Sequence, residues 1–228
     1  MLDKKKAIVT GGAGFIGSHM VDLLVENGFF VTVIDNLSGG RESNLSQHKD
    51  NKNVEFIETD ICKIKYNDKN FSDTDFVFHF AGKGDIVPSI ENPDEYMNTN
   101  VNGTLQVLQA SKEAKIKKFV YAASSSCYGL AETPTKEDNA IETKYPYALS
   151  KYLGEQAALN WNKVYGLPVN SLRIFIVKLF FVKSFVAKLL TVTANVCIPA
   201  LPPIDATIGI KKANTTICSI VAPNRLMQ

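Results

Sequence analysis

The short β-prone run Lys6-Ala7-Ile8-Val9-Thr10 leads directly into Gly11-Gly12-Ala13-Gly14-Phe15-Ile16-Gly17, and an apolar periodic stretch from Phe15 to Val25 follows. Few folds accept a strand, a tight glycine loop and a helix in that order. Gly11 permits the turn, Gly14 lets the backbone approach a pyrophosphate, and Gly17 lets the helix pack close to the strand. An anionic phosphate would then sit at the positive helix N-terminus, beside Phe15 and Ile16. A glycine pattern alone is a weak signal, but this one has the right element on each side.

The next strand, Phe29 to Ile34, ends in Asp35, about 20 residues past the glycines, where a carboxylate can accept hydrogen bonds from ribose hydroxyls. It would repel a 2′-phosphate, which favours NAD over NADP. A third strand, Val54 to Glu58, ends at Thr59-Asp60-Ile61. Asp60 is either an adenine contact or a simple turn carboxylate.

Alternation continues through the middle of the chain. Asp75 to Phe80 reads as a strand ending in Ala81-Gly82, and Asn92 to Lys115 as one long helix with Tyr96, Asn100, Thr104 and Val107 on one face. Lys117 to Ala123 is a fifth strand, Tyr145 to Tyr165 a helix stopped by Gly166-Leu167-Pro168, and Val169 to Phe175 a sixth strand. Strands joined by helices at this spacing predict an α/β fold with a Rossmann-type doubly wound parallel sheet. Ligands of such sheets bind at the strand C-termini, where Gly11, Asp35, Gly82 and Ser124 all fall.

Tyr147 and Lys151 lie four residues apart in Tyr147-Ala148-Leu149-Ser150-Lys151, so a helix brings both side chains to one face. A lysine ammonium beside a phenol stabilises the phenolate, whose parent pKa is about 10, and makes it usable for proton transfer. The pair alone is a common chance match, and its weight comes from the motifs upstream.

Gly11 to Ser18, Asp35-Asn36, His79-Phe80-Ala81-Gly82, Asn100-Val101-Asn102-Gly103-Thr104, Ser124 to Gly129 and Tyr147 to Lys151 stand in order. The set resembles the extended short-chain dehydrogenase/reductase superfamily, and within it the NAD-dependent nucleotide-sugar epimerases and dehydratases, over residues 5–175. The resemblance implies NAD held by Gly11, Gly14, Phe15, Ile16, Gly17, Asp35, Asn36, Asp60, Ile61, Phe80, Ala81, Gly82, Lys83, Asn100, Tyr147 and Lys151. It also implies that Lys83, Ser124, Ser125 and Tyr147 touch a nucleotide sugar. Tyr147 would be the acid/base, Lys151 would bind the nicotinamide ribose, Ser124 would bond the reacting hydroxyl, and His79 would be a packing residue.

Dehydratases of the family look like Thr-Asp-Glu at the position of Ser124-Ser125-Ser126, and related decarboxylases place Glu third. Ser125 and Ser126 cannot remove a C5 proton as those carboxylates do. The reading is therefore 4-epimerisation of a UDP-hexose, with Phe80-Ala81-Gly82-Lys83 similar to UDP-glucose 4-epimerases. Another nucleotide-sugar oxidoreductase, or an NAD-binding chain without turnover, are the alternatives. In the family, the helices ending near Lys115 and carrying Tyr147 pair across a dyad. That implies a homodimer through Tyr96, Val101, Leu105 and Leu108 with Leu149, Leu153, Ala157 and Trp161.

Charge marks where the resemblance ends. Residues 1–173 hold 19 Lys/Arg and 22 Asp/Glu, whereas residues 174–228 hold 6 Lys/Arg, Asp205 as the sole acid, and one glycine, Gly209. The family's Asn after the sixth strand is replaced by Ile176, and its Tyr-Gly-Pro is absent. Residues 1–175 are expected to form the NAD-binding domain, and 176–228 an atypical segment, either out of frame or a remnant of a sugar-binding domain. Lys178, Lys183 and Lys188 recur about 140° apart on a helix and would cost about 2.5–3.5 kcal/mol each near a membrane centre, which opposes a span there.

Cys62, Cys127, Cys197 and Cys218 have no metal-ligand spacing, and no signal peptide precedes Lys6, so no metal and a cytoplasmic setting are expected. Nothing in the charge distribution argues for a nucleic-acid partner.

Overall fold

The computed structural model describes residues 4–132 and 134–175, and the C-terminal segment 176–228 lies outside them. Six parallel strands form one sheet: β1 (Lys6–Thr10), β2 (Phe30–Asp35), β3 (Val54–Glu58), β4 (Phe76–His79), β5 (Lys118–Ser124) and β6 (Val169–Ile174). Their order across the sheet is β3-β2-β1-β4-β5-β6. The chain reverses direction of winding between β1 and β4, which leaves a crevice above their C-terminal ends.

Strand alternation divides the core between the two faces of the sheet. Ala7, Val9, Val31, Val33 and Val120 join Met20, Val21 and Leu24 of helix α1 (Phe15–Glu26) on one face. Ile8, Ile34, Phe119, Tyr121 and Ala123 join Val107, Leu108 and Ala158 on the other. Both faces are covered, so the central strands read as continuous apolar runs rather than alternating ones. Truncating a fully buried side chain such as Leu24 to Ala would cost about 2–5 kcal/mol.

The stretch expected as one helix from Asn92 is built in three parts. Helix α2 (Val87–Glu91) precedes it, α3 (Pro93–Met97) and α4 (Thr104–Glu113) form its ends, and a π-helical turn at Asn98–Gly103 joins them. Tyr96, Thr104 and Val107 flank the turn at helical spacing and no proline interrupts it, which is why the sequence reads as uninterrupted. Tyr96, Asn100, Thr104 and Val107 are all buried, as their shared face requires.

Helix α5 (Pro146–Tyr165) starts with Pro146 in its first turn, where no backbone N–H is needed, and stops at Gly166 in the left-handed region (φ 70°). Of the residues expected at a dimer face, Tyr96 and Leu108 belong to the core instead, at 4% and 0% exposure. Leu149 and Leu153 stay exposed on α5. Among the described residues no helix is long and apolar enough to cross a membrane, and no three His, Cys, Asp or Glu side chains gather as a metal site.

Candidate active site

Gly11 turns the chain out of β1 with φ 69°, and a Cβ there would fall 2.6 Å from the Ala81 backbone nitrogen. A Cβ on Gly17 would fall 2.1 Å from the Gly11 carbonyl oxygen. At Gly11 and Gly17 the loop therefore packs against the segment after β4 and against itself, with no room for a side chain. Gly14 caps α1 without a side-chain hydrogen bond, and the first turn holds no acidic residue, so the end of the helix is open to an anion.

The crevice has two halves. One cavity of about 280 Å³ is lined by Asp35, Asn36, Asp60, Ile61 and Ala81, together with Ser38, Gly39 and Gly40. A second of about 500 Å³ is lined by Phe15, Ile16, Gly17, Ser124, Ser125, Ser126, Tyr147 and Lys151. Gly11, Gly14, Phe80, Gly82 and Lys83 line both and join them. Every residue expected to touch cofactor or nucleotide sugar, except Asn100, lines this crevice. Ser38, Gly39 and Gly40 were not singled out, though their small, polar run just after Asp35 was a usable signal.

Asn100 acts beneath the surface. It is 1% exposed, its Oδ1 accepts from the Lys83 backbone N–H (2.7 Å), and its Nδ2 donates to the Lys83 carbonyl (3.0 Å) and Ser150 Oγ (2.9 Å). This clasp holds the Gly82-Lys83 segment in place. The Lys83 ammonium pairs with Glu95 at the mouth.

In the first half, the buried Asp35 carboxylate accepts from Ala13 N–H (3.0 Å) and Leu37 N–H (2.8 Å). It thus ties the glycine loop to the end of β2, and an ionised carboxylate retains lone pairs for a ligand hydroxyl. Asp60 accepts from Cys62 N–H (2.8 Å) and Asn36 Nδ2 (3.3 Å). Partial burial works against its charge, but these bonds and nearby Lys63 outweigh it and hold the carboxyl below its usual range.

In the second half, the Tyr147 hydroxyl donates to Ser124 Oγ (3.3 Å), and Ser124 Oγ lies 2.8 Å from Ser126 Oγ and accepts from Ser126 N–H (3.2 Å). The rings of Tyr96 and Tyr147 pack edge-to-face, with centroids 6.3 Å apart. Lys151, one turn along α5, is 8% exposed, and its Nζ sits 4.6 Å from the Tyr121 ring centroid. Burial lowers its pKa to about 8, while the charge of Glu155 opposes the fall.

Below the crevice, His79 is fully buried between Thr10 and Thr104. Thr104 Oγ1 donates to the Asn100 carbonyl (2.8 Å), so it accepts from His79 Nε2–H (2.9 Å), and Nδ1 accepts from Thr10 Oγ1 (2.6 Å). Burial first, and the charge of Lys151 second, bring the imidazole to about 3, so it stays neutral. His79 is a structural tie, in keeping with the packing role expected of it.

Residues 7–192 match the NAD dependent epimerase/dehydratase family, a match that continues past Ile176. A putative UDP-glucose 4-epimerase of Methanocaldococcus jannaschii is 39% identical over 169 residues, which is 73% of this chain and 54% of the relative. A UDP-N-acetylglucosamine 4-epimerase of Methanobrevibacter ruminantium superposes with a TM-score of 0.72 at 35% identity, over 76% of this chain and 56% of that one. A dTDP-glucose 4,6-dehydratase of Streptomyces venezuelae, solved with NAD bound, gives 0.71 at 30%, over 74% and 55%. The chain spans about half the length of the curated relatives it matches. With a family match over most of its length and this crevice at the switch point of the sheet, the chain belongs to the NAD dependent epimerase/dehydratase family.

Proposed function

We propose that this chain binds NAD and catalyses 4-epimerisation of a UDP-hexose. The observation that carries the reading is the hydroxyl cluster of Tyr147, Ser124 and Ser126 beside Lys151, with no carboxylate at positions 125 or 126. The dehydratase and decarboxylase branches of the family need an acid there, and this chain offers two serines.

The residues fit the cofactor. A flat glycine backbone meets an uncapped helix end, as a pyrophosphate requires, and a buried carboxylate, Asp35, faces the half of the crevice suited to an adenosine ribose. Gly11, Gly14, Phe15, Ile16 and Gly17 would hold the diphosphate, Asp35, Asn36, Asp60 and Ile61 the adenosine, and Phe80, Ala81, Gly82 and Lys83 the bridge between the halves. NAD supplies a hydride acceptor that is regenerated within each turnover.

Tyr147 Oη takes the proton from the sugar 4-hydroxyl and returns it after the sugar has presented its other face. Ser124 Oγ, within hydrogen-bond reach of Tyr147, orients that hydroxyl. Lys151, still largely protonated at neutral pH, holds positive charge in the same cavity as the Tyr147 and Ser124 hydroxyls. Lys83 and Ser125 contact the nucleotide sugar. Exposed Leu149 and Leu153 on α5 support association of two copies through that helix.

Interconversion of UDP-glucose and UDP-galactose tests the reaction. The parent chain with NAD should equilibrate the two, and Tyr147→Phe should not. Turnover by Tyr147→Phe near that of the parent would reject Tyr147 as the proton acceptor.

A further inference from the structure

Glu155 is fully buried one helical turn beyond Lys151 on the same face of α5, and the reaction as described leaves it without a task. Its carboxylate is held from β6: Oε1 accepts from Ser171 Oγ (2.8 Å), and both oxygens face Arg173 Nε (3.2 and 3.0 Å). Arg173 is itself anchored, donating from Nη1 to the Tyr128 hydroxyl (2.6 Å) with its guanidinium over the Tyr128 ring. Tyr128 closes the turn that begins at Ser124. One buried network thus spans β6, the Ser124 turn and the helix that carries Tyr147 and Lys151.

We propose that Glu155 is a positioning residue that keeps Lys151 protonated in the crevice, with Arg173 fixing its carboxylate at the required place. This rests on the role assigned to Lys151 above. Burial drives Lys151 toward the neutral amine, and Glu155 is the charge that resists it. The groups packed beneath and behind the pair, away from the open cavity, do not change charge near neutral pH. Beneath Lys151, Tyr121 of β5 is pushed above its ordinary range by burial and by Glu155, and His79 of β4 is held neutral. In the turn, burial raises Cys127 to about 11 and also raises Tyr128, and Arg173 of β6 stays cationic. Lys151 is then the one member of this buried network poised to titrate.

The test is the Nζ titration of Lys151 in the full chain without cofactor, followed by NMR on lysine-labelled protein, with the resonance assigned by its loss in Lys151→Met. The parent midpoint should lie near 8. Glu155→Gln should lower it by on the order of one to two pH units, as removal of a charge roughly 6 Å away does at an effective dielectric of about 20. Ser171→Ala keeps both charges and should leave the midpoint in place.

Equal midpoints in Glu155→Gln and the parent would overturn the proposal, as would an equal fall in Ser171→Ala. Removing one partner of a buried pair is strongly destabilising, so Glu155→Gln/Arg173→Gln carries the same test if the single variant does not fold. The midpoint should still fall, because the carboxylate is the charge that acts on Lys151, and an unchanged midpoint would again overturn the proposal. A chain that bound no NAD would reject the functional reading and leave this titration untouched.

Discussion

The Tyr147 hydroxyl meets Ser124 Oγ at 3.3 Å, bringing the first turn of α5 to the C-terminal end of β5. Ser126 holds the far side of the same oxygen, so the Ser124 hydroxyl is fixed before any substrate arrives. Tyr147→Phe removes one hydrogen bond and almost no packing. It is expected to lower turnover by about 10²–10⁴-fold while NAD affinity measured by calorimetry is retained. Ser124→Ala, which removes orientation but not the acceptor, is expected to lose less.

One substitution at Asp35 touches both its backbone hydrogen bonds and its proposed contact with the cofactor ribose. Parent protein is expected to bind NAD more tightly than NADP, and Asp35→Ala to narrow the gap. Because Ala13 and Leu37 N–H both bond this carboxylate, the same change is expected to cost roughly 1–3 kcal/mol of stability by denaturant unfolding. Equal calorimetric affinities for the two cofactors in the parent would contradict the assignment.

Lys151 makes stability depend on alkaline pH. Below about 8 the lysine is protonated in both folded and unfolded chains, and the burial cost is fully present. Between about 8 and 10.5 the folded chain has released a proton that the unfolded chain keeps, so the contribution of this group rises with pH. Lys151→Met is therefore expected to be more stable than the parent at pH 7, by about 2–4 kcal/mol, with the difference shrinking above pH 8. Urea midpoints of the two proteins across that range check the sign.

Association through α5 predicts a dimer at micromolar concentration, and Leu149→Glu/Leu153→Glu is expected to sediment as a monomer with its fold retained. A parent chain that sediments as a monomer would contradict it.

The chain order of strands and helices was legible because the local signals agree with one another: β1 feeds a glycine loop, Asp35 ends β2, and Gly166 stops α5. The crevice was legible for the same reason, since its residues sit at strand ends that topology alone brings together. What the sequence hid depends on contacts at long separation. Asn100 reads like a surface ligand, yet the π-helical turn sinks it below Lys83, where its amide is fully used. Tyr96 and Leu108 read as an outer stripe, but α3 and α4 turn them into the core. Glu155 looks like any solvated helix residue until β6 supplies Ser171 and Arg173 to meet it.

The most direct test uses UDP-glucose deuterated at C4, incubated with the chain and NAD in ordinary water and followed by NMR. The expected result is UDP-galactose that keeps its deuterium at C4, formed by the parent and not by Tyr147→Phe. A 4-keto-6-deoxy product, exchange of the C5 proton with solvent, or no UDP-galactose from NAD-loaded protein would contradict 4-epimerisation.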